Sequence, residues 1–143
     1  MKRHPALLEL SREHHQALKM ARQARLAAAS GEPERQASLA AELRAWSADA
    51  LERHFAEEET TLFPRLARTE HAALAARALD EHRRLRALIA ELATPDATTL
   101  ARFAELMEAH VRFEERELFE CLQSGLAAAQ NLFTICCASA IQR

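Results

Sequence analysis

The chain is poor in the residues that build turns and sheets. Its 143 residues include two glycines, four prolines, one tryptophan and no tyrosine. A sheet needs frequent turns together with β-branched and aromatic side chains, so the composition argues against a β fold and a few long helices are expected. The scarcity of tyrosine and tryptophan also argues against an aromatic recognition surface.

An excess of charge of one sign is missing as well. The 19 lysines and arginines nearly balance the 21 aspartates and glutamates. This balance gives no long-range attraction to nucleic acid or to an anionic membrane. No long apolar run occurs, and the first residues, MKRHPALLELSREHH, are charged from the start. We therefore expect a cytoplasmic protein without signal peptide, membrane span, or nucleic-acid and membrane partners.

Cysteine is also sparse. Cys121, Cys136 and Cys137 are the three cysteines, and no two of them form a C-x-x-C pair. Neither a zinc knuckle nor a disulfide framework is expected from this pattern.

What the sequence does contain is long helical segments separated by short breaks. Pro5 is expected to begin a helix that ends near Ala29, and Pro33 a second that stops at Leu62-Phe63-Pro64. Thr69 is expected to cap a third helix that ends near Ala93. Asp96, Thr98 or Thr99 is expected to cap a fourth that runs to about Leu122. Short connections favour antiparallel neighbours, so the predicted fold is all-α, an up-down-up-down four-helix bundle.

The domain prediction follows from these breaks. Residues 1–123 are assigned to the bundle, and residues 124–143 to a C-terminal tail of unclear structure that is a candidate homodimer contact. Apolar residues recur at helical spacing on the first and third helices. The predicted inner faces comprise Leu7, Leu10, His14, Ala17, Leu18 and Ala21 on the first helix and Leu79, His82, Leu85 and Ile89 on the third.

One internal repeat indicates chemistry. The segments HFAEEETTLF, from His54, and HVRFEERELF, from His110, share the pattern His-x-x-x-Glu-Glu-x-x-Leu-Phe. Residues four apart lie on one helix face, so the side chains of His54 and Glu58 project in the same direction, and so do those of His110 and Glu114. The pairs Glu13-His14 and Glu81-His82 match each other more weakly. The chain thus resembles two copies of one helix pair.

Axial distances bring some of these residues to one level. At about 1.5 Å per residue, His82 and His110 each lie about 20 Å from the Thr94–Asp96 turn. The same calculation from the first loop places His14 and His54 at levels that differ by roughly two helical turns. Imidazole and carboxylate together suit iron, zinc or manganese, and bundles build di-iron and di-manganese sites from inward His and Glu. A buried metal site is therefore predicted.

These residues resemble the hemerythrin-like proteins, the HHE cation-binding domains, over about His4 to Leu122. The resemblance implies a non-haem di-iron centre whose two irons are bridged by the carboxylates of Glu58 and Glu114. It also implies a protein that binds or senses oxygen, nitric oxide or peroxide, rather than a turnover enzyme. The implied ligands are His14, His54, Glu58, His82, His110 and Glu114.

Two departures from the oxygen-carrying members leave alternatives open. Their third helix has a second histidine four residues from the first, where this chain has Ala78 or Arg86, and their fourth helix has an aspartate five residues after the histidine. Six ligands instead of seven leave an extra open coordination position. An iron-binding, storage or donation module is the alternative function, and zinc or manganese the alternative metals.

Several neighbouring residues have competing interpretations. His14 is preferred to His15 because it aligns with His82. His71 is expected to be a surface or packing residue and His4 to be solvated. The glutamates beside the ligands are expected to be mostly solvated, with one or two holding a ligand imidazole through its second nitrogen. They are Glu13, Glu57, Glu59, Glu81 and Glu115.

Overall fold

The computed structural model describes residues 2–126 and 128, which form four long helices. They are α1 (Pro5–Ala29), α2 (residues 33–66), α3 (Ala72–Glu91) and α4 (residues 97–126). No strand occurs among the described residues. The predicted all-α four-helix bundle is confirmed. Residues 129–143, most of the predicted tail, lie outside the described residues.

Helices α2 and α4 are interrupted by π turns. In α2 the α-helical pieces Pro33–Trp46, Glu52–Glu57 and Phe63–Leu66 alternate with π turns at Ser47–Leu51 and Glu58–Leu62. In α4 a π turn at Glu114–Leu118 follows Ala97–Phe113. The π turns that begin at Glu58 and Glu114 occupy equivalent positions of the sequence repeat. The repeat is therefore present in the backbone as well as in the sequence. Because π turns are rare and concentrate at functional sites, these two turns indicate a candidate site.

The ends of α1 agree with the sequence prediction, and Gly31, with φ of 67°, reverses the chain after it. The predicted stop of α2 at Pro64 is wrong, because the helix continues to Leu66. A proline inside a regular α-helix removes a hydrogen bond and clashes with the carbonyl four residues back. The π turn just before Phe63 changes the hydrogen-bonding register of the helix and so accommodates the ring of Pro64.

Helix α3 begins at Ala72, so the prediction that Thr69 caps it is wrong. The Thr69 hydroxyl donates to the Leu66 carbonyl at 2.8 Å and accepts the His71 N–H at 3.1 Å. Thr69 therefore stabilises the connection between α2 and α3. Asp96 does hold the cap position of α4, without a side-chain hydrogen bond to the backbone, and α4 runs past Leu122 to residue 126.

The apolar core is divided into two parts. One surrounds Met20, Leu43, Leu85, Phe103 and Met107, and the other surrounds Leu7, Phe63, Ala78, Leu118 and Phe119. Small residues on the inner face of α1, including Ala17, Ala21 and Ala24, allow α4 to pack closely against it.

Two predicted core residues are wrong. Leu18 is 38% exposed and Leu79 is 40% exposed. On α3 the inward stripe passes through Ala78, His82, Leu85 and Ile89, which places Leu79 on the flank of the helix. Among the described residues, no helix combines the length and the apolar character that crossing a membrane requires.

Candidate metal centre

Six buried polar side chains lie in the bundle interior. Each of the four helices contributes one histidine, and α2 and α4 each add a glutamate four residues later. All six are at least 94% buried, and Glu58 and Glu114 are completely so. They are the residues named from the sequence pattern: His14, His54, Glu58, His82, His110 and Glu114.

The six side chains form two groups of four. One group comprises His14, His54, Glu58 and Glu114, and the other comprises Glu58, His82, His110 and Glu114. Within each group, one ligand atom per residue lies within 4.8 Å of every other. The two glutamates are therefore shared by both groups.

Each shared carboxylate presents one oxygen to each group. Glu58 Oε1 lies 3.2 Å from His54 Nε2, while Glu58 Oε2 lies 3.3 Å from His82 Nε2. Glu114 Oε2 lies 3.1 Å from His14 Nε2, while Glu114 Oε1 lies 3.3 Å from His110 Nε2. Two metal positions joined by two carboxylates match this pairing of oxygens.

The unsatisfied polar atoms test whether metal ions fit here. Within the described chain, both oxygens of Glu58, Oε1 of Glu114 and Nε2 of His82 and His110 are buried without a hydrogen-bond partner. Each such atom costs on the order of 1–3 kcal/mol unless something compensates it. All of them face the two groups, and imidazole nitrogen with carboxylate oxygen is a donor set that suits iron, manganese or zinc. The residues present fit a pair of metal ions.

The second nitrogen of every histidine contacts a glutamate. The Nδ1 atoms of His54 and His110 lie 2.6 and 2.8 Å from carboxylate oxygens of Glu13 and Glu81. The Nδ1 atoms of His14 and His82 lie 2.7 and 2.8 Å from Glu115 and Glu59. Because an ionised carboxylate only accepts, each Nδ1 carries a proton, which leaves Nε2 as the nitrogen that can bind a metal ion.

These four glutamates correct a sequence expectation. One or two of the flanking glutamates were expected to hold an imidazole; four do, and of the five named only Glu57 is exposed. The pattern follows the internal repeat. Each positioning glutamate adjoins a cluster residue in sequence and holds a histidine of another helix. That adjacency, seen in both repeats, is the signal that could have revealed them.

Three of the positioning glutamates are themselves held by arginines. Arg3 lies 2.6 Å from Glu115, Arg77 lies 2.9 Å from Glu81 and Arg86 lies 2.8 Å from Glu59. Each of these guanidinium groups also lies over a phenylalanine ring, of Phe119, Phe113 and Phe55 respectively. Arg86, which pairs with both Glu52 and Glu59, also links α3 to α2.

Aromatic rings cover the imidazoles. Phe55 stacks on His82 with ring centroids 3.7 Å apart, and Phe119 stacks on His14 at 5.3 Å. Phe63 lies 5.3 Å from His82. These rings exclude water from the histidines and restrict their rotation.

Without metal, protons balance the buried carboxylates. Burial alone disfavours the charged form of His14, but Glu114 and Glu115 outweigh it and raise the pKa of His14 to about 9. The carboxylates of Glu114 and Glu58 raise the pKa of His82 to about 9 in the same way. Burial would raise the pKa of Glu114, but the surrounding histidines hold it well below its usual range. The centre therefore attracts positive charge.

The structure also places the competing histidines. His14 lies in the cluster and His15 is exposed. His71 lies at the surface, as expected. His4, expected to be solvated, is half-buried, and its Nδ1 accepts the Ala6 N–H at 3.1 Å to cap α1. Ala78, four residues before His82, is completely buried, so no second imidazole of α3 reaches the centre.

His14 and His54 meet despite the axial mismatch of the sequence estimate, because their ring centroids are 5.0 Å apart. The Gln36 side chain donates to the Ala27 carbonyl at 3.2 Å and ties the start of α2 to the end of α1. The π turn at Ser47–Leu51 fits extra chain into the same length and so reduces the mismatch.

Comparison with known proteins gives one match. Residues 6–122 match the family described as hemerythrin HHE cation binding domain. Neither the curated proteins nor the solved structures return a match. The matched span contains all six cluster residues and nearly all of the four helices that carry them. The chain therefore belongs to the hemerythrin HHE cation-binding domain family.

Proposed function

We propose that the protein holds a non-haem di-iron centre and uses it to bind or sense oxygen, nitric oxide or peroxide. His14 and His54 hold one iron, His82 and His110 hold the other, and Glu58 and Glu114 bridge the pair. The observation that carries the proposal is that each buried carboxylate presents one oxygen to each histidine pair. Cation binding follows from the family, and the two irons and the small ligand are the proposal.

The chain's own residues supply the surroundings that such chemistry needs. Two bound iron ions would supply reversible electron exchange with a small ligand. The positioning glutamates hold each imidazole with Nε2 inward, so the ligand atoms need little rearrangement when metal binds. Phe55, Phe63 and Phe119 exclude bulk water. The Ala78 methyl group, in place of a further imidazole, leaves fewer protein ligands than two iron ions can accept.

Metal content and the optical spectrum test the centre. Wild type is compared with Glu58→Ala and Glu114→Ala, and with the control Glu117→Ala, an exposed glutamate in the same π turn as Glu114. We expect two irons per chain with near-ultraviolet charge-transfer bands in wild type and control, and loss of both in the two bridge variants. One metal ion per chain, or none, would overturn the proposal.

Reactivity separates the proposed function from metal handling. The reduced, iron-loaded protein is mixed with oxygen, nitric oxide and hydrogen peroxide while its spectrum is recorded. We expect a spectral change with at least one of them and retention of both irons against a mild chelator. A protein inert to all three that loses both ions rapidly would instead be an iron-binding or donation module.

A further inference from the structure

We infer that metal ions enter and leave the centre on one side only, through the pocket at the Glu13–His54 pair between α1 and α2. This inference rests on the proposed metal centre and concerns how the centre is loaded. The ligand is a hydrated divalent cation. Glu13 would meet it first, and His54 would turn to admit it.

A surface cavity borders this pair. It has a volume of about 230 Å³, and Glu13, Ala17, Trp46, Ala50, Leu51 and His54 are among its lining residues. Four other surface cavities of the described chain are lined by none of the six cluster residues. The cavity therefore places solvent beside one imidazole of the centre.

The positioning glutamate at this cavity differs from its three counterparts. The side chain of Glu13 is 42% exposed, against 8% for Glu81, its equivalent in the repeat. Among the described residues, no arginine pairs with Glu13, whereas Arg77 pairs with Glu81. Moving His54 therefore breaks one exposed ion pair, while moving any other histidine of the centre also disturbs a glutamate held by arginine.

The ring of His54, like that of His110, lacks the phenylalanine stacking that restrains His14 and His82 in the described chain. Its nearest phenylalanine, Phe55, is tilted at 6.2 Å, whereas the same ring stacks on His82 at 3.7 Å. The α-helical piece that carries His54 is six residues long and has a π turn on each side. Less regular backbone on both sides makes reorientation of this segment easier than in α1 or α3.

Glu13 has the chemistry to receive a cation. A carboxylate oxygen is a hard ligand that binds a divalent cation while the cation keeps part of its water shell. Because Glu13 also accepts the Nδ1 proton of His54, a cation bound at Glu13 competes for that hydrogen bond and loosens the imidazole. The uptake site and the moving ligand are thus adjacent.

The test follows release of Co²⁺ from the cobalt-loaded protein to excess EDTA, by visible absorption. We expect two phases, with Glu13→Gln accelerating the fast one about 10-fold, the lower end of the effects seen when a partner of a metal-bound histidine is changed. The matched variant Glu81→Gln is expected to leave that fast phase unchanged. Equal acceleration of the fast phase by both variants would overturn the inference.

A second pair of variants tests the route itself. Ala50→Leu and Ala50→Phe fill the cavity without replacing a ligand and are expected to slow both loading and release progressively, with two metal ions still bound at equilibrium. The control Ala87→Phe makes the same change in a cavity between α3 and α4 that no cluster residue lines. Release at the wild-type rate in both Ala50 variants would overturn the inference.

The fluorescence of Trp46 provides a second measurement that does not depend on the absorption of the bound metal. It is the single tryptophan of the chain, and it lines the cavity with His54. Its fluorescence is expected to fall during the fast phase of Co²⁺ loading of the metal-free protein. If two cobalt ions bind and substitutions at residues 13 and 50 do not change the release rate, the inference is overturned and the proposed centre stands. A protein that binds no cobalt or iron would overturn the proposed centre.

Discussion

At the scale of single residues, each histidine of the centre is defined by two contacts. Its Nε2 faces a shared carboxylate, and its Nδ1 donates to a positioning glutamate, as in His82, which lies between Glu58 and Glu59. The second contact sets the tautomer and therefore decides which nitrogen is free for a metal. The four glutamates that accept from Nδ1 are thus as important for metal binding as the two glutamates that face Nε2.

Replacing a positioning glutamate should weaken metal binding without removing a ligand. Glu59→Gln removes the charge that holds His82 Nδ1, and we expect a metal affinity 10-fold to about 100-fold lower. The control is Glu57→Gln, two residues away and exposed. Competition titration against a chromophoric chelator measures both. Equal affinities for the two variants would show that Glu59 has no positioning role.

The pH dependence of the metal-free protein follows from His14 and His82. Their pKa values in the folded protein, about 9, lie above the ordinary value of 6.5. The stabilisation is fully present below pH 6.5 and is lost as the pH rises to about 9, because the folded state then gives up protons that the unfolded state has already lost. Urea denaturation at several pH values checks this.

Metal binding should show the opposite trend with pH. The same protons must leave before Nε2 can bind metal, so apparent affinity is expected to rise from pH 6.5 to 9. Parallel rather than opposite trends of stability and affinity would contradict the assignment of protonated His14 and His82 in the metal-free centre.

At the scale of elements, backbone geometry decides where side chains point. The π turns begin at Glu58 and Glu114 themselves, so in each i, i+4 pair the histidine lies in α-helix and the glutamate is the first residue of the π turn. The helix of α2 then passes Pro64 and ends two residues later than the sequence suggests. The repeat is preserved in backbone as well as in sequence.

The two glycines provide matched tests of element ends. Gly31 has φ of 67°, whereas Gly125 lies in helical backbone, and a Cβ atom at either would meet nothing within 4 Å. Gly31→Ala is expected to lower the free energy of unfolding by about 1 kcal/mol, because alanine disfavours positive φ. Gly125→Ala is expected to raise it by up to about 1 kcal/mol. Urea denaturation measures both, and equal effects would contradict the assigned geometries.

At the scale of the whole molecule, the bundle consists of two apolar cores with a polar layer at the metal centre. The layer buries Glu58 and Glu114 completely, and several of its atoms have no hydrogen-bond partner in the described chain. Such a layer is costly for the metal-free protein. We therefore expect metal binding to stabilise the fold.

Removal of metal should lower the melting temperature. At a free metal concentration 1,000 times the Kd, binding adds about 4 kcal/mol, equivalent to roughly 10 °C or more for a small domain. The double variant Glu58→Ala, Glu114→Ala should show no such increase on adding iron. Calorimetry with and without iron measures the shift, and an unchanged wild-type melting temperature would contradict a metal-stabilised fold.

Much of this arrangement is determined by the sequence alone. Helix propensity, helical periodicity and the breaks at Ser30-Gly31 and Thr94-Pro95 are local properties, and they are sufficient for the four helices and their order. The duplicated His-x-x-x-Glu pattern is also local, because residues four apart share a helix face whatever surrounds them. It identifies the fold, the family and the side chains that could meet.

The tertiary structure decides which of these side chains do meet and what holds them. Contacts between helices depend on the rotation and axial offset of each helix, which the packing of all four sets together. That is why His14 rather than His15 lies inside, why the rings of His14 and His54 meet despite the axial estimate, and why Leu79 lies outside. The pairing of Glu13 with His54 and of Arg86 with Glu59 joins residues distant in sequence. No local pattern encodes such pairs, because each depends on where another helix lies.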